Sequence, residues 1–572
     1  MRLRPDAGTQ LVAGGSVLVG GSPVRVLRLT GAGARRVAEW FGGAPVPANA
    51  GARTLARRLL DAGIAHPDYG AGTGALNGDL RGADALGTAG GDRSPGPADV
   101  TVVIPVKDRH AELARCLAGL RPAATSPAVP PNSGKKSGSG VPDVVGGTRV
   151  VVVDDASADG EAIARICARF GADVIRRDVN GGPGAARNTG LAAADSELVA
   201  FLDSDCVPAD GWLGQLLPHF ADPAVGAVAP RIAPHESGTG WLAKYEGASS
   251  TLDMGARPSI VRPGARVSYV PGAALVVRRS AAGAGFAPGM FVGEDVDFVW
   301  RLAAAGWRVR YEPAAVMAHD HRVRFRAWFA RRADYGTSAA TLEQLHPGAV
   351  RPLYASWWTV GAWAAALSGR PVTAAALTGT ATALLARRLA KVTGERWPVP
   401  APPSGARSKD LRKDSGTSST PGCGQCHTIP AEPPAVPDNS KKRWPGVTLT
   451  RREAVAWRLA LRLAGGGTAE AGRPLGSALS RTWWPVAIPA ALAIRRLRVP
   501  VGALILAPPL LDWLDRRPPL DPARYTAARL LDDAAYSLGV WKGCLDRRTL
   551  RPLLPVIGAR SQRDWRAPVR DA

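Results

Sequence analysis

The sequence predicts an α/β fold centred on a largely parallel sheet, with a small α+β unit before it and a helical region after it. Three observations predict this. Short apolar runs rich in Val and Ile alternate with helical stretches between residues 99 and 320. Several of those runs stop on aspartates, as strands do at the carboxyl edge of an open sheet. Beyond residue 320 the apolar spacing becomes helical and the charge strongly positive.

Residues 1–68 read as the α+β unit. Ser16-Val-Leu-Val and Val24-Arg-Val-Leu-Arg-Leu alternate in polarity and form a hairpin around Gly20-Gly-Ser-Pro23. Thr30 caps a helix reaching Trp40, and Thr54–Gly63 gives a second helix with its terminating glycine. Residues 69–98, rich in Gly, Ala and Asp, read as a linker. In the core the strands are Val100–Pro105, Arg149–Asp155, Ala172–Arg176, Leu198–Asp203 and Val225–Pro230, with helical stretches such as Ala162–Phe170 between them. Residues 122–148, rich in Pro, Ser, Gly and Lys, read as a disordered insertion. Residues 321–395 read as helical, 396–446 as a disordered linker and 447–572 as a basic helical region.

Composition narrows the class. At about 150 residues per domain, 572 residues make two to four domains with an ample core. A hydrophobic fraction of 46% excludes a wholly disordered chain, and six cysteines exclude a disulfide scaffold. Of the net charge of +24, +22 falls after Asp320, where 39 Lys and Arg face 17 Asp and Glu. The front half is therefore near neutral. A basic, Trp-rich back half suits anionic lipid headgroups or another polyanion, unless it only reflects a coding bias toward Arg. Nucleic acid is disfavoured, because the basic half shows no recognisable nucleic-acid-binding fold.

The carboxylates carry the chemistry. Asp154-Asp155 closes a strand of four valines; this suits either hydrogen bonds to a nucleoside or a plain Asx turn. Asp203-Ser-Asp205 closes another strand, and its alternate residues face the same way. Two carboxylates so placed can share a hard divalent cation that carries a diphosphate, or form only a polar loop. Glu294, Asp295 and Asp297 open a helix, which suits its macrodipole; a carboxylate there can also deprotonate a hydroxyl. Asn180-Gly-Gly-Pro-Gly-Ala-Ala-Arg187-Asn188-Thr-Gly is a glycine-rich loop entering a helix. It fits neither a Walker loop nor a dinucleotide fingerprint, which disfavours an ATPase or dehydrogenase.

Taken in order, Val-Ile-Pro-Val-Lys-Asp108-Arg, Val-Val-Asp154-Asp155, the glycine loop with Arg187 and Asn188, Phe-Leu-Asp203-Ser-Asp205 and Gly-Glu294-Asp295-X-Asp297 resemble the glycosyltransferase family 2 catalytic domain over residues 99–320. The resemblance implies a GT-A nucleotide-sugar fold and inversion at the anomeric carbon. It implies Asp108 and Asp155 near the nucleoside, with Asp154, Arg187 and Asn188 as further nucleotide-sugar contacts. It implies Asp203 at the ribose and, with Asp205, at Mg²⁺ or Mn²⁺ on the diphosphate. It implies Asp295 as the base, with Glu294, Asp297 and Arg301 in support. His319 reads equally as a further metal or phosphate contact and as a surface-loop residue; neutral imidazole suits Mn²⁺. The Gln-X-X-Arg-Trp motif of processive relatives is missing, and Phe325-Arg-Ala-Trp328 does not replace it. This counts against long-chain synthesis.

The ends sharpen the resemblance. Residues 1–68 look like a small winged-helix module of the kind that recognises leader peptides. Val17-Leu-Val-Gly-Gly-Ser-Pro-Val-Arg-Val-Leu-Arg-Leu and Asp61-Ala-Gly-Ile-Ala-His-Pro make the whole most similar to the mycofactocin-system glycosyltransferases of actinobacteria. That resemblance implies a UDP-sugar donor, UDP-glucose in particular, and a peptide-derived redox cofactor as acceptor, with several sugars added in turn. A membrane enzyme acting on a lipid or cell-envelope polysaccharide is the alternative; a peptide-binding scaffold with a degenerate core is the non-enzyme alternative.

Four uncharged runs, 353–369, 371–386, 482–494 and 499–511, are 17, 16, 13 and 13 residues long, short of the roughly 20 residues of a spanning helix. Prolines 485, 489, 500, 508 and 509 break the last two. Flanking arginines and the tryptophan pairs at 357–358 and 483–484 suit an interfacial position. The start of the chain shows no signal-peptide apolar region. The expectation is a cytoplasmic catalytic domain at the cytoplasmic face of the cell membrane, peripheral or multi-pass. Cys423-Gly-Gln-Cys426-His427 matches a haem-attachment pattern but reads as incidental to its linker.

Overall fold

A computed structural model describes residues 1–13, 15–69, 95–121, 147–235, 238–321, 323–394, 441–444 and 447–558. Most of the segments expected as linkers (69–98, 396–446) and as an insertion (122–148) lie outside the described residues, as does the Cys423–His427 motif. The chain divides into two compact units, Met1–Leu377 with Thr468–Ala572, and Thr378–Gly467.

The first unit opens with β1 (Arg2–Pro5), β2 (Gln10–Val12), β3 (Val17–Gly20), β4 (Arg25–Arg28), α1 (Gly31–Phe41), α2 (Ala50–Asp61) and β5 (Ala65–Asp68). Strands β2, β3 and β4 form the expected antiparallel hairpin sheet, extended by one strand. The pairing of β1 with β5 was not legible in the sequence. Helix α2 starts four residues before Thr54 because the Asn49 side chain accepts from the Ala52 N–H at 2.9 Å. Leu18, Val37, Trp40, Leu59 and Ile64 bury the facing sides of helices and strands. Arg308 donates to Asp61 and Arg266 to Asp6, fastening this small layer to the larger sheet.

The larger sheet has nine strands. Its elements run β6 (Val100–Val106), α3 (His110–Gly119), β7 (Arg149–Asp155), α4 (Gly160–Phe170), β8 (Asp173–Arg177), α5 (Gly182–Ala193), β9 (Leu198–Leu202), β10 (Cys206–Pro208), α6 (Trp212–Leu216), β11 (Val225–Pro234), α7 (Trp241–Ser249), β12 (Ser259–Ile260), β13 (Ala274–Arg278), α8 (Arg279–Ala282), α9 (Glu294–Ala304) and β14 (Arg308–His319). The order is β10-β14-β11-β13-β9-β6-β7-β8, with β12 on β14. The half made of β9, β6, β7 and β8 is parallel, as expected. Every residue of β6 is buried, which a strand covered on both faces requires. The other half is mixed, because β13 runs antiparallel between β9 and β11. Parallel strands need crossovers, and the crossovers α3, α4 and α5 cover the two faces.

Helix α10 (Phe325–Leu345) follows, then β15 (Tyr354–Ala355), α11 (Trp357–Leu367) and α12 (Pro371–Gly394). The described part of the second unit holds the greater part of α12, the hairpin β16 (Lys441–Trp444) and β17 (Val447–Thr450), and α13 (Arg451–Ala460). The first unit resumes at Thr468, one residue into α14 (Gly467–Glu470), and continues with α15 (Gly472–Arg481), α16 (Trp484–Ala493), α17 (Arg498–Arg516), α18 (Pro522–Asp546) and β18 (Val556–Ile557), which pairs with β15. Pro485 and Pro500 sit in first turns, where their missing N–H groups cost nothing, whereas Pro508 and Pro509 lie inside a helix that continues through them.

The C-terminal helices are part of the catalytic body rather than an appendage. α18 lies along α10 so closely that a Cβ on Gly539 would stand 1.8 Å from the Ala333 carbonyl oxygen; only glycine allows this contact. A buried polar network joins the same helices to α7. Arg332 on α10 pairs with Glu246 and, at 3.0 Å, with Asp532 on α18. Tyr245 donates to Asp532 at 2.9 Å and Trp328 to Glu246 at 2.7 Å. Buried charges must be paired in this way to be tolerated.

Candidate active site

At the carboxyl edge of the parallel half, a cavity of about 530 Å³ opens between the strand ends and α9. Asp155, Arg187, Asp203, Asp205, Asp295 and His319 all line it; Asp203 and Asp205 share the turn after β9, and the other four come from separate strand ends and helices. The sheet dictates the gathering. Asp155 ends β7, Asp203 follows β9, and β10 places Cys206 opposite His319 of β14, so Asp205 and His319 are neighbours. Their closest approach is 3.6 Å between Asp205 Oδ2 and His319 Nε2.

Arg187 occupies the centre. Its side chain is only 2% exposed. One guanidinium nitrogen donates to Asp203 at 2.6 Å and the other to Glu294 at 2.9 Å. Helix α5 delivers it from the glycine-rich loop. That loop is held by Asp155, whose carboxylate accepts from the N–H groups of Gly181 at 3.1 Å and Gly182 at 2.8 Å and from Arg177 at 2.7 Å. Gly182 has φ +82°, and a Cβ there would stand 2.7 Å from the Phe291 ring.

The electrostatics split neighbouring acids apart. Burial raises the Asp203 carboxyl, with Arg187 opposing and Asp205 adding to the rise. Burial would raise Asp205 too, but His319 and Arg109 hold it well below the usual carboxylate range. Arg109 contacts the Asp205 carboxylate directly. Burial, then the charge of Asp295, pushes Glu294 up to about 7 against the pull of Arg187. Asp295, half-buried at the first turn of α9, accepts from the Gly272 N–H at 2.7 Å and the Val296 N–H at 2.8 Å. Those two bonds fix its carboxylate at the cavity wall.

Five sequence candidates do not line the cavity. Asp154 points away from it: it accepts from the Ser157 N–H at 2.9 Å and pairs with Arg176, so the Asx-turn alternative describes it. Asp108 has φ +57° and braces the same turn through the Ala158 N–H at 2.6 Å. Asn188 exchanges two hydrogen bonds of 2.8 Å with the Phe286 backbone. Asp297 binds Arg301 and His346, each at 2.8 Å, and Arg301 also holds the Gly285 carbonyl. These residues support the site rather than face it. Sequence reasoning passed over Lys107 and Arg109, although both flank Asp108, and over Arg331, Tyr335, Arg481 and Tyr536, which reach the cavity from α10, α15 and α18.

Among the described residues, no group of three His, Cys, Asp or Glu closes around an ion by itself. The donor types facing the cavity, two carboxylates and an imidazole whose Nδ1 is buried without a hydrogen-bond partner, are those a hard or borderline cation takes. Arg109 now pairs with Asp205 and Arg187 with Asp203, so an ion at this place would have to displace or share those contacts. Cations of this kind bind through one or two carboxylates plus substrate phosphates.

The glycosyl transferase family 2 model matches residues 101–283, and the glycosyl transferase family group 2 model matches residues 198–390. With the sheet described above, the chain belongs to glycosyltransferase family 2 and has its GT-A fold. Over 96% of its length it is 35% identical to the pre-mycofactocin glycosyltransferase of Mycobacterium tuberculosis, covering 97% of that protein. An N-acetylglucosaminyltransferase of Rhizobium meliloti is 29% identical over 31% of this chain and 44% of its own. Among solved structures, a mannosyltransferase from Pyrobaculum calidifontis in complex with GDP-Man and Mn²⁺ aligns with a TM-score of 0.32 and 22% identity, over 51% of this chain and 78% of that one.

The Glu294 carboxyl makes a prediction about stability. Its pKa is raised from 4.5 to about 7 in the folded chain, so the folded state holds that proton more tightly. The stabilisation is complete below about pH 4.5 and is lost as pH climbs through about 7. Urea unfolding across that window should show a steeper loss of stability for the natural chain than for Glu294→Gln. Parallel pH profiles would contradict the assignment.

Proposed function

We propose that the protein transfers glucose from UDP-glucose to a hydroxyl of a ribosomally derived peptide redox cofactor, mycofactocin, repeating the step to add several sugars. The observation that carries the enzymatic reading is the single cavity on which Asp203, Asp205, His319 and Asp295 converge. Similarity to the pre-mycofactocin glycosyltransferase along almost the whole chain supports the acceptor.

In this reading the nucleotide lies at the strand ends near Asp155, Lys107 and Arg109. Asp203, Asp205 and His319 would hold Mg²⁺ or Mn²⁺, which when bound neutralises charge on the departing diphosphate. Asp295 takes the proton of the acceptor hydroxyl as its oxygen attacks C1 from the face opposite the leaving group. The C1–O bond forms, the C1–phosphate bond breaks, UDP leaves and the anomeric centre inverts. Glu294 is tied to Arg187 beside the base, which leaves Asp295 as the carboxylate of this pair that faces the acceptor.

Asp295→Asn should lower transfer by about 10²- to 10⁴-fold with UDP affinity unchanged. Asp205→Ala should remove the Mn²⁺ dependence of UDP binding. Natural transfer rates in the first variant, or an unaltered Mn²⁺ titration in the second, would refute the base and metal roles. Incubation with UDP-[¹⁴C]glucose and either the peptide-derived acceptor or a lipid extract decides the acceptor; label in the lipid fraction alone would overturn the peptide reading.

A membrane-surface position at the cytoplasmic face belongs to the same reading. Among the described residues one helix, Arg495–Arg516, is long and apolar enough to cross a membrane by length and composition. Val486, Leu492, Val499 and Leu510 are exposed on α16 and α17 beside Arg495, Arg496 and Arg498, the pattern of an interfacial helix. The chain should float with vesicles containing phosphatidylglycerol, and Val499→Glu with Leu510→Glu should abolish flotation. A natural chain that stays in the soluble fraction would contradict the contact.

A further inference from the structure

Beside the catalytic cavity lies a second hollow of about 190 Å³. Val350, Arg351, Arg481 and Tyr536 line both spaces, so the hollow adjoins the cavity on the side of the C-terminal helices. Its walls come from helices that follow the catalytic core in sequence. Ala339 on α10, Ala478 on α15 and Val540 on α18 give it an apolar floor, and all three are buried.

Its rim is polar and rigidly held. The Arg481 guanidinium lies 4.1 Å from the centre of the Tyr536 ring and 3.4 Å from Asp533. Asp533 also accepts from Ser480 at 2.6 Å and pairs with Arg529 at 3.5 Å. Tyr536 is thereby fixed against the cavity mouth. The hollow falls below the roughly 300 Å³ at which drug-sized ligand sites begin, which leaves room for about one ring. An apolar floor with a hydrogen-bonding aromatic rim fits a hydroxyl-bearing ring, whose face lies against the apolar surface while its hydroxyls meet the rim.

We propose that this hollow is the acceptor subsite, taking the sugar or phenol ring of a small acceptor, with Tyr536 and Ala478 as specificity-determining residues. The proposal rests on the reading of Asp295 as the base facing the same cavity. It gives the C-terminal helices a direct role: they close the acceptor end that the GT-A core leaves open.

Ligand-observed NMR tests it on the full chain saturated with UDP, using phenyl β-D-glucoside, which carries both ring types. Tyr536→Ala and Ala478→Met should each weaken phenyl glucoside binding at least fivefold, while UDP affinity stays within twofold. Tyr536→Phe, which keeps the ring, should restore most of the binding. Methyl β-D-glucoside and p-cresol, tried separately, tell sugar from phenol, and binding of either supports the subsite. Unchanged affinity in both weakened variants, no binding to the natural chain, or displacement of the glucoside by farnesyl phosphate would overturn it. If Tyr536→Ala fails to fold, Ala478→Met decides alone. The readout is binding, so it fails independently of the base: transfer persisting in Asp295→Asn would sink the base assignment and leave the subsite standing.

Discussion

The site depends on one buried fork. Arg187 reaches Asp203 with one nitrogen and Glu294 with the other, and so ties the end of β9 to the start of α9. A planar guanidinium can make both bonds at once; an ammonium cannot hold that geometry. The bridge also answers an electrostatic problem. Five ionisable groups (Asp203, Asp205, Glu294, Asp295 and His319) share one cavity wall, and burial opposes charge on each acid it covers. A fully buried cation at their centre lets Asp203 carry charge and keeps α9 seated against the sheet.

Around that fork the chain builds outward in order of distance. The glycine-rich loop exists to deliver Arg187, and Asp155 exists in part to hold that loop, through two backbone N–H groups. On the far side, α10 and α18 meet at glycines and bury the Arg332 network, which brings Arg481 and Tyr536 to the cavity. The charge imbalance therefore divides into two roles. Some arginines of the basic half, such as Arg332 and Arg481, are structural partners of buried acids; others, such as Arg495, Arg496 and Arg498, face outward beside exposed apolar residues.

Much of this was legible in the sequence, and the rest was hidden for physical reasons. The apolar runs ending on Asp155 and Asp203 announced buried parallel strands, because such strands need continuous apolar sequence. The mixed half was harder to read: β10 and β12 are two or three residues long and leave no periodic trace. Asp154 and Asn188 share motifs with residues at the cavity, yet they turn inward to brace turns, and spacing alone does not distinguish a bracing aspartate from a ligand-facing one. Arg481 and Tyr536 stand 186 and 241 residues beyond Asp295, so no local pattern could join them to the site. The prolines of α17 misled in the other direction, since a helix packed against its neighbours tolerates two of them.

Arg187 thus couples the nucleotide side of the site to the acceptor side. A double-mutant cycle in urea unfolding at about pH 8, with Arg187→Met, Glu294→Gln and the pair, measures that coupling directly. Arg187→Met alone should be strongly destabilising, by about 3–5 kcal/mol, because it strands buried acids. Adding Glu294→Gln should recover part of that loss, with a coupling energy above about 1 kcal/mol. Strictly additive effects would show that the two side chains act independently, and would contradict the bridge that holds β9 to α9.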